Sequence, residues 1–204
     1  MEMFERHQQE GLNHYLSGKW AWNQLADSLS LWPNTATDYK PLLDVAKAHA
    51  LPVVASNITR KYASLIFHHG YDSLLSIKDT PGLPELPIDF DSTQTQYRKM
   101  RTMMHGHGDA TDRLVMAQII KDATMGESIL QQMNDGCEQM LHINGAYHSN
   151  DYQGIYWYLE KEFQKSDLLT INVVTQKKVS ELKKEHLQSA DYIIVTPDDM
   201  MRTH

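Results

Sequence analysis

The chain of 204 residues contains a single cysteine, Cys137. One cysteine excludes an internal disulfide and also a zinc site built from several thiolates. The sequence has no apolar run of about 18 residues, the length that a membrane-spanning helix needs. It also lacks a glycine-rich phosphate loop, a GxSxG nucleophile elbow and an HExxH metal motif, so the sequence signatures of three common enzyme sites are missing.

Positive charge is also scarce, with 19 Lys and Arg against 26 Asp and Glu, and the formal net charge is −7. Since nucleic-acid binding needs a basic face, we expect no nucleic-acid partner. The apolar fraction of 41% supports a core, and the length predicts a single domain over residues 1–204. Met1, Met3 and Phe4 are typical of the end of a strand already under way, which predicts that residues are missing upstream.

The periodicity of the remaining sequence alternates between helix and strand. Helices are predicted at 5–29 with a break near Gly18, 41–49, 58–67 with Gly70 as the C-cap, 94–104, 109–133, 153–164 and 179–187. Strands are predicted at 51–56, 138–144, 168–175 and 191–196. Such alternation predicts an α/β fold, a three-layer arrangement in which a mostly parallel central sheet is flanked by helices.

Residues 139–158 carry the strongest functional signal. The apolar run from Met140 to Ile143 stops at a glycine and is followed by Tyr147 and His148. In open α/β folds, ligands bind at the carboxyl ends of the strands, so this pattern is typical of a site. A plain strand–loop–helix connection, in which His148 only caps the helix, is the alternative.

The long helix over 109–133 has polar residues on its apolar side. On a helical wheel Gln118 and Asp122 fall inside the arc of Leu114, Val115, Ile119, Met125 and Ile129. A carboxylate on a buried stripe is costly unless it is paired or hydrogen-bonded. We therefore expect Asp122 to meet Arg60, His148 or the backbone amides of a neighbouring loop.

The segment 57–64 follows the predicted strand 51–56 and opens a helix. Arg60 stands in its first turn, where the helix dipole disfavours a cation, and this placement suggests that it holds a carboxylate or a propionate. An exposed arginine without a function is the alternative. Tyr62 is equally compatible with a ligand and with a core aromatic.

Two further features have a structural alternative. His105 and His107 in HGHGD (105–109) suit a mobile metal or propionate arm, but a solvated loop before the helix is favoured. Met103 and Met104 suit the face of a bound planar ligand, but their helical spacing favours core packing.

Five segments resemble one family in the same order: EMFER at the start, WPNT and TDYKPL within 32–43, LPVVASNITRKYASL at 51–65, AQIIKDATM at 117–125 and INGAYHS at 143–149. They are similar to the ChaN-like haem-binding, iron-regulated lipoproteins. This family belongs to a superfamily with the erythromycin esterases and the TraB/Tiki proteins. The resemblance covers essentially the whole chain.

The resemblance implies haem bound between the protomers of a dimer, a tyrosine on the iron, and a role in iron and haem acquisition. It also implies a cell-envelope location, periplasmic or anchored to the outer membrane near the uptake machinery. Glu2, Arg60, and Gly145 to His148 match the superfamily's motif positions. The superfamily's first motif, of the Gly-Glu-x-His type, and the lipoprotein cysteine are not found and are expected upstream of Met1.

Haem chemistry leaves the iron ligand open between two tyrosines. Ferric haem favours an anionic oxygen ligand, and a neighbouring cation favours the phenolate form of tyrosine. Tyr147 beside His148, or Tyr62 beside Arg60, satisfies this requirement. The predicted cofactor site therefore comprises Tyr147, His148, Arg60, Tyr62, Asp122, Gln118 and Glu2, without a metal site. A non-enzymatic haem-binding protein is favoured over a metal-dependent hydrolase with Glu2 and His148 as ligands or acid–base groups.

Overall fold

The computed structural model describes residues 1–77, 82–103 and 108–200. His105, His107 and Met104 lie outside these ranges. The helices are α1 (Gln9–Leu16), α2 (Trp22–Ser28), α3 (Lys40–Ala48), α4 (Arg60–His69), α5 (Asp72–Leu75), α6 (Thr95–Met103), α7 (Asp109–Asn134) and α8 (Ile155–Leu159). The strands are β1 (Ile171–Gln176) and β2 (Tyr192–Pro197). Within the described ranges, no helix combines the length and the hydropathy that crossing a bilayer requires.

Helix boundaries follow the local signals of the sequence. The predicted break near Gly18 separates α1 from α2, and Gly18 has a positive φ of 79°. Helix α4 ends at Gly70, whose φ of 85° is the left-handed conformation that glycine adopts without strain. Both boundary predictions are confirmed. The helices predicted over 153–164 and 179–187 were too long, because only Ile155–Leu159 and the 3₁₀ turn Lys184–His186 are helical there.

The fold is α/β, rich in helix, with one parallel pair of strands in the described ranges. Strands β1 and β2 pair in parallel from Ile171 opposite Tyr192 to Gln176 opposite Pro197. The predicted strands 51–56 and 138–144 are extended segments without a regular ladder, so the expected three-layer sheet is not seen in the part of the chain that the structure describes.

The amino-terminal segment nevertheless lies between these two extended segments. The Glu2 amide donates to the Ile143 carbonyl at 3.0 Å, and the Asn57 amide donates to the Phe4 carbonyl at 3.0 Å. Glu5 and Asn57 form an isolated parallel bridge. The arrangement places residues 1–5, 53–57 and 142–145 side by side, so their ends meet in one place.

Helix α7 is the central element of the helical layer. It packs against α4, α6 and α8, and its apolar side is buried in separate clusters around Ile120, Ile119 and Met125. Gln118 and Asp122 are buried on this side, as their positions on the helical wheel predict. A fully buried carboxylate therefore stands in the middle of the longest helix, and it needs partners.

Candidate functional site

The imidazole of His148 lies between two buried carboxylates. Its Nδ1 donates to Asp122 Oδ1, and its Nε2 lies 3.2 Å from Glu2 Oε1. The side chains of all three residues are at most 9% exposed. Both ring nitrogens face carboxylate oxygens, an arrangement that suits an imidazolium cation, which donates from both nitrogens.

Two further side chains complete the surroundings of this ion cluster. The Tyr97 hydroxyl donates to Asp122 Oδ2 at 2.6 Å. The Gln118 amide nitrogen lies 3.0 Å from His148 Nδ1 and 3.3 Å from its Nε2. Both Asp122 oxygens therefore accept hydrogen bonds, which is the condition under which a buried carboxylate is tolerated. We call Glu2, Tyr97, Gln118, Asp122 and His148 the buried cluster.

The residues of the buried cluster come from distant parts of the sequence, and Arg6 connects two of these parts, the amino-terminal segment and α7. Its Nε donates to Ser128 Oγ at 2.9 Å, and its Nη2 donates to the Thr124 carbonyl at 2.8 Å. These bonds join the amino-terminal segment to α7. The Gly145 amide then donates to Glu2 Oε2 at 2.6 Å, which ties the loop before His148 to the same carboxylate.

Electrostatics favour the charged form of His148. Burial lowers the pKa of His148, but Asp122 and Glu2 together outweigh it and raise the value to about 9. Burial also raises the pKa of Asp122, and the contacts with His148 and Tyr97 offset this only in part. Burial raises the pKa of Glu2, but the hydrogen bonds from His148 and Gly145 outweigh burial, so the pKa is lowered overall. The pair of His148 and Asp122 therefore keeps a proton through the neutral range.

These shifts predict how stability depends on pH. The folded-state pKa of His148, about 9, lies above its ordinary value of 6.5, so its contribution is complete below pH 6.5 and is lost as pH rises to 9. Asp122 acts in the same direction, because its pKa is also raised. We expect the free energy of unfolding to fall by ~3 kcal/mol between pH 6 and pH 9.5, measured by urea denaturation.

The control for this pH dependence is the double variant His148→Gln/Asp122→Asn, which removes both titrating groups of the pair. Its stability should be nearly flat over the same interval. Glu2 has the opposite effect on stability, because its pKa is lowered in the folded state. Its contribution to the free energy of unfolding is complete above its ordinary pKa of 4.5 and is lost as pH falls. Parallel profiles for the wild type and this double variant would show that the pair of His148 and Asp122 is not the titrating group.

Gly154 is a backbone requirement of the site. Its φ of 59° and ψ of −117° belong to a region that L side chains avoid. A Cβ at this position would lie 2.5 Å from the His148 carbonyl oxygen, 2.6 Å from Gln96 Nε2 and 3.1 Å from Asp122 Oδ2. The chain therefore passes this close to the buried cluster only because residue 154 has no side chain.

The predicted site residues fall into two groups. Glu2, Gln118, Asp122 and His148 come together in the buried cluster. Tyr147, Tyr62 and Arg60 do not belong to it. Of the candidate partners of Asp122, His148 is in contact with it and Arg60 is not. Arg60 is exposed at the start of α4, and its backbone amide donates to Glu5 Oε2 at 2.9 Å.

The two candidate tyrosines differ in exposure. Tyr62 is 4% exposed, packs in the cluster around Ile58 and Ile66, and its hydroxyl has no partner among the described residues. Tyr147 is 51% exposed, and its hydroxyl lies 3.4 Å from the sulfur of Met103. Met103 is itself 61% exposed, so its predicted place in the core is wrong. Tyr147 and Met103 form a surface beside the buried cluster.

Sequence reasoning missed Tyr97, Arg6 and His142. His142 Nε2 lies 2.9 Å from Ser56 Oγ, and its Nδ1 lies 3.0 Å from Asn144 Oδ1. Burial lowers the pKa of His142 to about 4, with a further contribution from the chain's amino terminus, so this histidine is neutral. The buried Asp122 was a signal that a donor was needed, but nothing in the sequence pointed to Tyr97.

A family model described as haem-binding uptake, Tiki superfamily, ChaN matches residues 1–159. The chain belongs to this family. The match contains every residue of the buried cluster, Tyr147 and Gly154, and leaves β1 and β2 outside. Haem is the ligand of the ChaN-like family, so the predicted family and cofactor are confirmed at that level. A search of curated proteins and a search of solved structures found no match.

Among the residues that the structure describes, no three His, Cys, Asp or Glu side chains are arranged to hold a metal ion. Glu2, Asp122 and His148 are close neighbours, but both histidine nitrogens are directed at the carboxylates. In this arrangement their hydrogen bonds are made to one another.

Proposed function

We propose that this ChaN-like chain binds haem on the surface of Tyr147 and Met103, with the Tyr147 phenolate as the iron ligand. The observation that carries the proposal is the exposure of Tyr147, 51%, beside a buried cluster that fixes the neighbouring residue. Tyr62 is unsuited to the same task, because its ring is packed in the core. Bound haem supplies a ferric iron that prefers an anionic oxygen ligand.

The residues around Tyr147 suit a planar, anionic ligand. The Met103 thioether is soft and polarizable and can lie against a porphyrin face. Lys99 stands one helical turn before Met103 on α6, so the two side chains share a face. Lys99 is exposed and forms an ion pair with Asp151 at 3.1 Å. A haem propionate would compete with Asp151 for this ammonium group. Arg60 stays a second candidate for a propionate, at the start of α4.

The buried cluster has a positioning role in this proposal. Glu2 holds the Gly145 amide, and Asp122 holds His148, so both ends of the short turn that contains Tyr147 are fixed. Gln118 contacts the His148 ring from α7. Because these side chains are buried, they act on haem through Tyr147 and do not themselves contact it.

We further propose that residues 1–204 form one domain that works as a homodimer in the cell envelope and serves iron and haem acquisition. A haem held by an exposed tyrosine has a second face that is open to solvent. A second protomer related by two-fold symmetry would cover that face. In this setting the protein would pass haem to or from an outer-membrane uptake system.

The metal-dependent hydrolase is the weaker alternative. It needs Glu2 and His148 as metal ligands or acid–base groups. In the structure, both His148 nitrogens are bonded to carboxylates, and the side chain is 7% exposed. A group in such a position has neither a free lone pair nor access to substrate, so the geometry favours a haem-binding protein that is not an enzyme.

Haemin titration of the full chain tests the proposal. We expect a saturable Soret change and the charge-transfer band of a ferric phenolate. Tyr147→Phe should abolish that band and weaken haemin binding at least ~10-fold, because the phenolate is the only protein ligand in the proposal. Tyr62→Phe should leave both unchanged.

Tyr192→Phe is a second control, since Tyr192 is also exposed and lies in β2. If Tyr147→Phe keeps the wild-type spectrum and affinity, Tyr147 is not the ligand. If Tyr62→Phe loses the band instead, the ligand is in the core and the proposed surface is wrong. Sedimentation with and without haemin then tests whether haem brings two protomers together.

A further inference from the structure

A cavity lies on the side of α6 that faces away from Met103. Its volume is about 410 Å³, within the range of small-molecule pockets. It is bounded by the connection around Phe90, by Tyr71 and by the first turns of α7. Arg101 lines the cavity and stands two residues before Met103 on α6, and residues two apart on a helix lie on opposite sides. The cavity and the proposed haem surface are therefore separate.

The walls of the cavity are apolar and aromatic. Tyr71 and Phe90 meet edge to face, with ring centroids 6.1 Å apart and an interplanar angle of 68°. Phe90 is 39% exposed, so part of its ring is directed at solvent. Met116 and Ile119 of α7 add a thioether and an aliphatic chain to the lining. These side chains suit a flat apolar body.

The two arginines that line the cavity differ in their hydrogen bonds. Arg101 makes two short hydrogen bonds, from its Nε to Asp112 Oδ1 at 2.9 Å and from its Nη1 to the Ser92 carbonyl at 2.7 Å. Arg113 has one long bond, from Nη1 to the His68 carbonyl at 3.3 Å. Its Nε is buried and has no hydrogen-bond partner among the described residues. Among the described residues, the terminal nitrogens of Arg113 make only the long bond to His68, so an anion in the cavity would add hydrogen bonds to them.

Charge fixes the class of ligand. Of the residues that the structure describes, two guanidinium groups and one carboxylate line the cavity, which gives this lining one net positive charge. A carboxylate in the cavity can accept from the terminal nitrogens of Arg113, and a bond between a guanidinium group and a carboxylate is among the stronger hydrogen bonds in proteins. We propose that this cavity is a binding site for a small monoanionic ligand with a flat apolar body, such as an aromatic carboxylate. This site does not depend on the proposed haem function.

Calorimetric titration of the full chain with 2-naphthoate tests this site. We expect saturable binding with a Kd of ~1 mM or tighter, the range for a ligand of this size. The neutral isostere 2-naphthamide should bind at least ~10-fold more weakly, because it lacks the charge that Arg113 recognises. Arg113→Gln should weaken 2-naphthoate by a similar factor and leave haemin binding unchanged.

Arg98→Gln is the matched control, because Arg98 is an exposed arginine of α6 that does not line the cavity. Its affinity for 2-naphthoate should equal that of the wild type. If Arg113→Gln fails to fold, Phe90→Ala replaces it as the test variant, because it removes one aromatic wall at a half-exposed position. Phe90→Ala should also weaken the binding of 2-naphthoate. The proposal is overturned if 2-naphthoate does not bind, if 2-naphthamide binds equally well, or if neither variant weakens binding.

The carboxylate that this cavity recognises has two sources, a free aromatic acid or a propionate of haem. Protein saturated with haemin should bind 2-naphthoate as well as the haem-free protein does. Displacement of 2-naphthoate by haemin would overturn the separate site, because it would make the cavity the propionate end of the haem site. Inorganic phosphate should not compete, since it has no apolar body; displacement by phosphate would reduce the site to a general anion contact.

Discussion

Asp122→Ala is expected to destabilise the protein by about 3–5 kcal/mol, the usual result of removing one partner of a buried ion pair. The substitution leaves the His148 cation without its closest carboxylate and the Tyr97 hydroxyl without its acceptor. Since a domain of this size is stable by only ~5–15 kcal/mol, much of the free energy of unfolding would be lost. Urea denaturation followed by circular dichroism measures the change.

Asp112→Ala is the matched control on the same helix. Asp112 pairs with Arg101 at 2.9 Å, but its side chain is 65% exposed, and exposed pairs contribute at most about 1 kcal/mol. Asp122→Asn keeps the shape and one acceptor but removes the charge, so it should fall between the two. Equal losses for Asp122→Ala and Asp112→Ala would show that the buried pair has no special weight in stability.

Gly154→Ala is the second substitution with a large expected effect, a loss of about 3 kcal/mol or more in the free energy of unfolding. The added methyl group meets the His148 carbonyl and the Gln96 amide, and the backbone stands where alanine is strained. Movement of this segment also displaces His148. Haemin binding through Tyr147 should therefore weaken together with the thermal stability.

Gly18→Ala separates conformational strain from steric overlap. Gly18 also has a positive φ, 79°, but an added Cβ would meet nothing within 4 Å. Its cost should therefore be only the ~1–2 kcal/mol of a left-handed alanine, and haemin binding should not change. If Gly154→Ala costs no more than Gly18→Ala, the close approach at residue 154 is not a constraint on the site.

The local structure of this chain could be read from its sequence where the signal was itself local. The break at Gly18, the end of α4 at Gly70 and the long helix over Asp109–Asn134 depend on glycine conformation and on helical periodicity, which neighbouring residues determine. The predicted strands 51–56 and 138–144 failed as regular strands. A β-branched run shows that a segment is extended, but the pairing that makes it a strand depends on distant residues.

In the candidate site too, the sequence predicted what depends on local spacing but not what depends on distant residues. The sequence indicated that Asp122 and Gln118 lie on the buried side of α7, because position on a helix follows from spacing alone. It left Arg60, His148 and backbone amides as alternative partners of Asp122, and it did not include Tyr97. Which donor reaches a buried carboxylate depends on how α6, α7 and the loop after Ile143 pack, and no local pattern records that packing.

The sequence by itself determined the family, the alternation of helices with extended segments, and a buried polar stripe on α7. These properties follow from residue types and their spacing. Only the tertiary structure decided that His148 lies between Asp122 and Glu2, and that Tyr147 is exposed while Tyr62 is buried. The reason is physical: these residues lie far apart in the chain, and both their distances and their exposure are set by the packing of elements against one another.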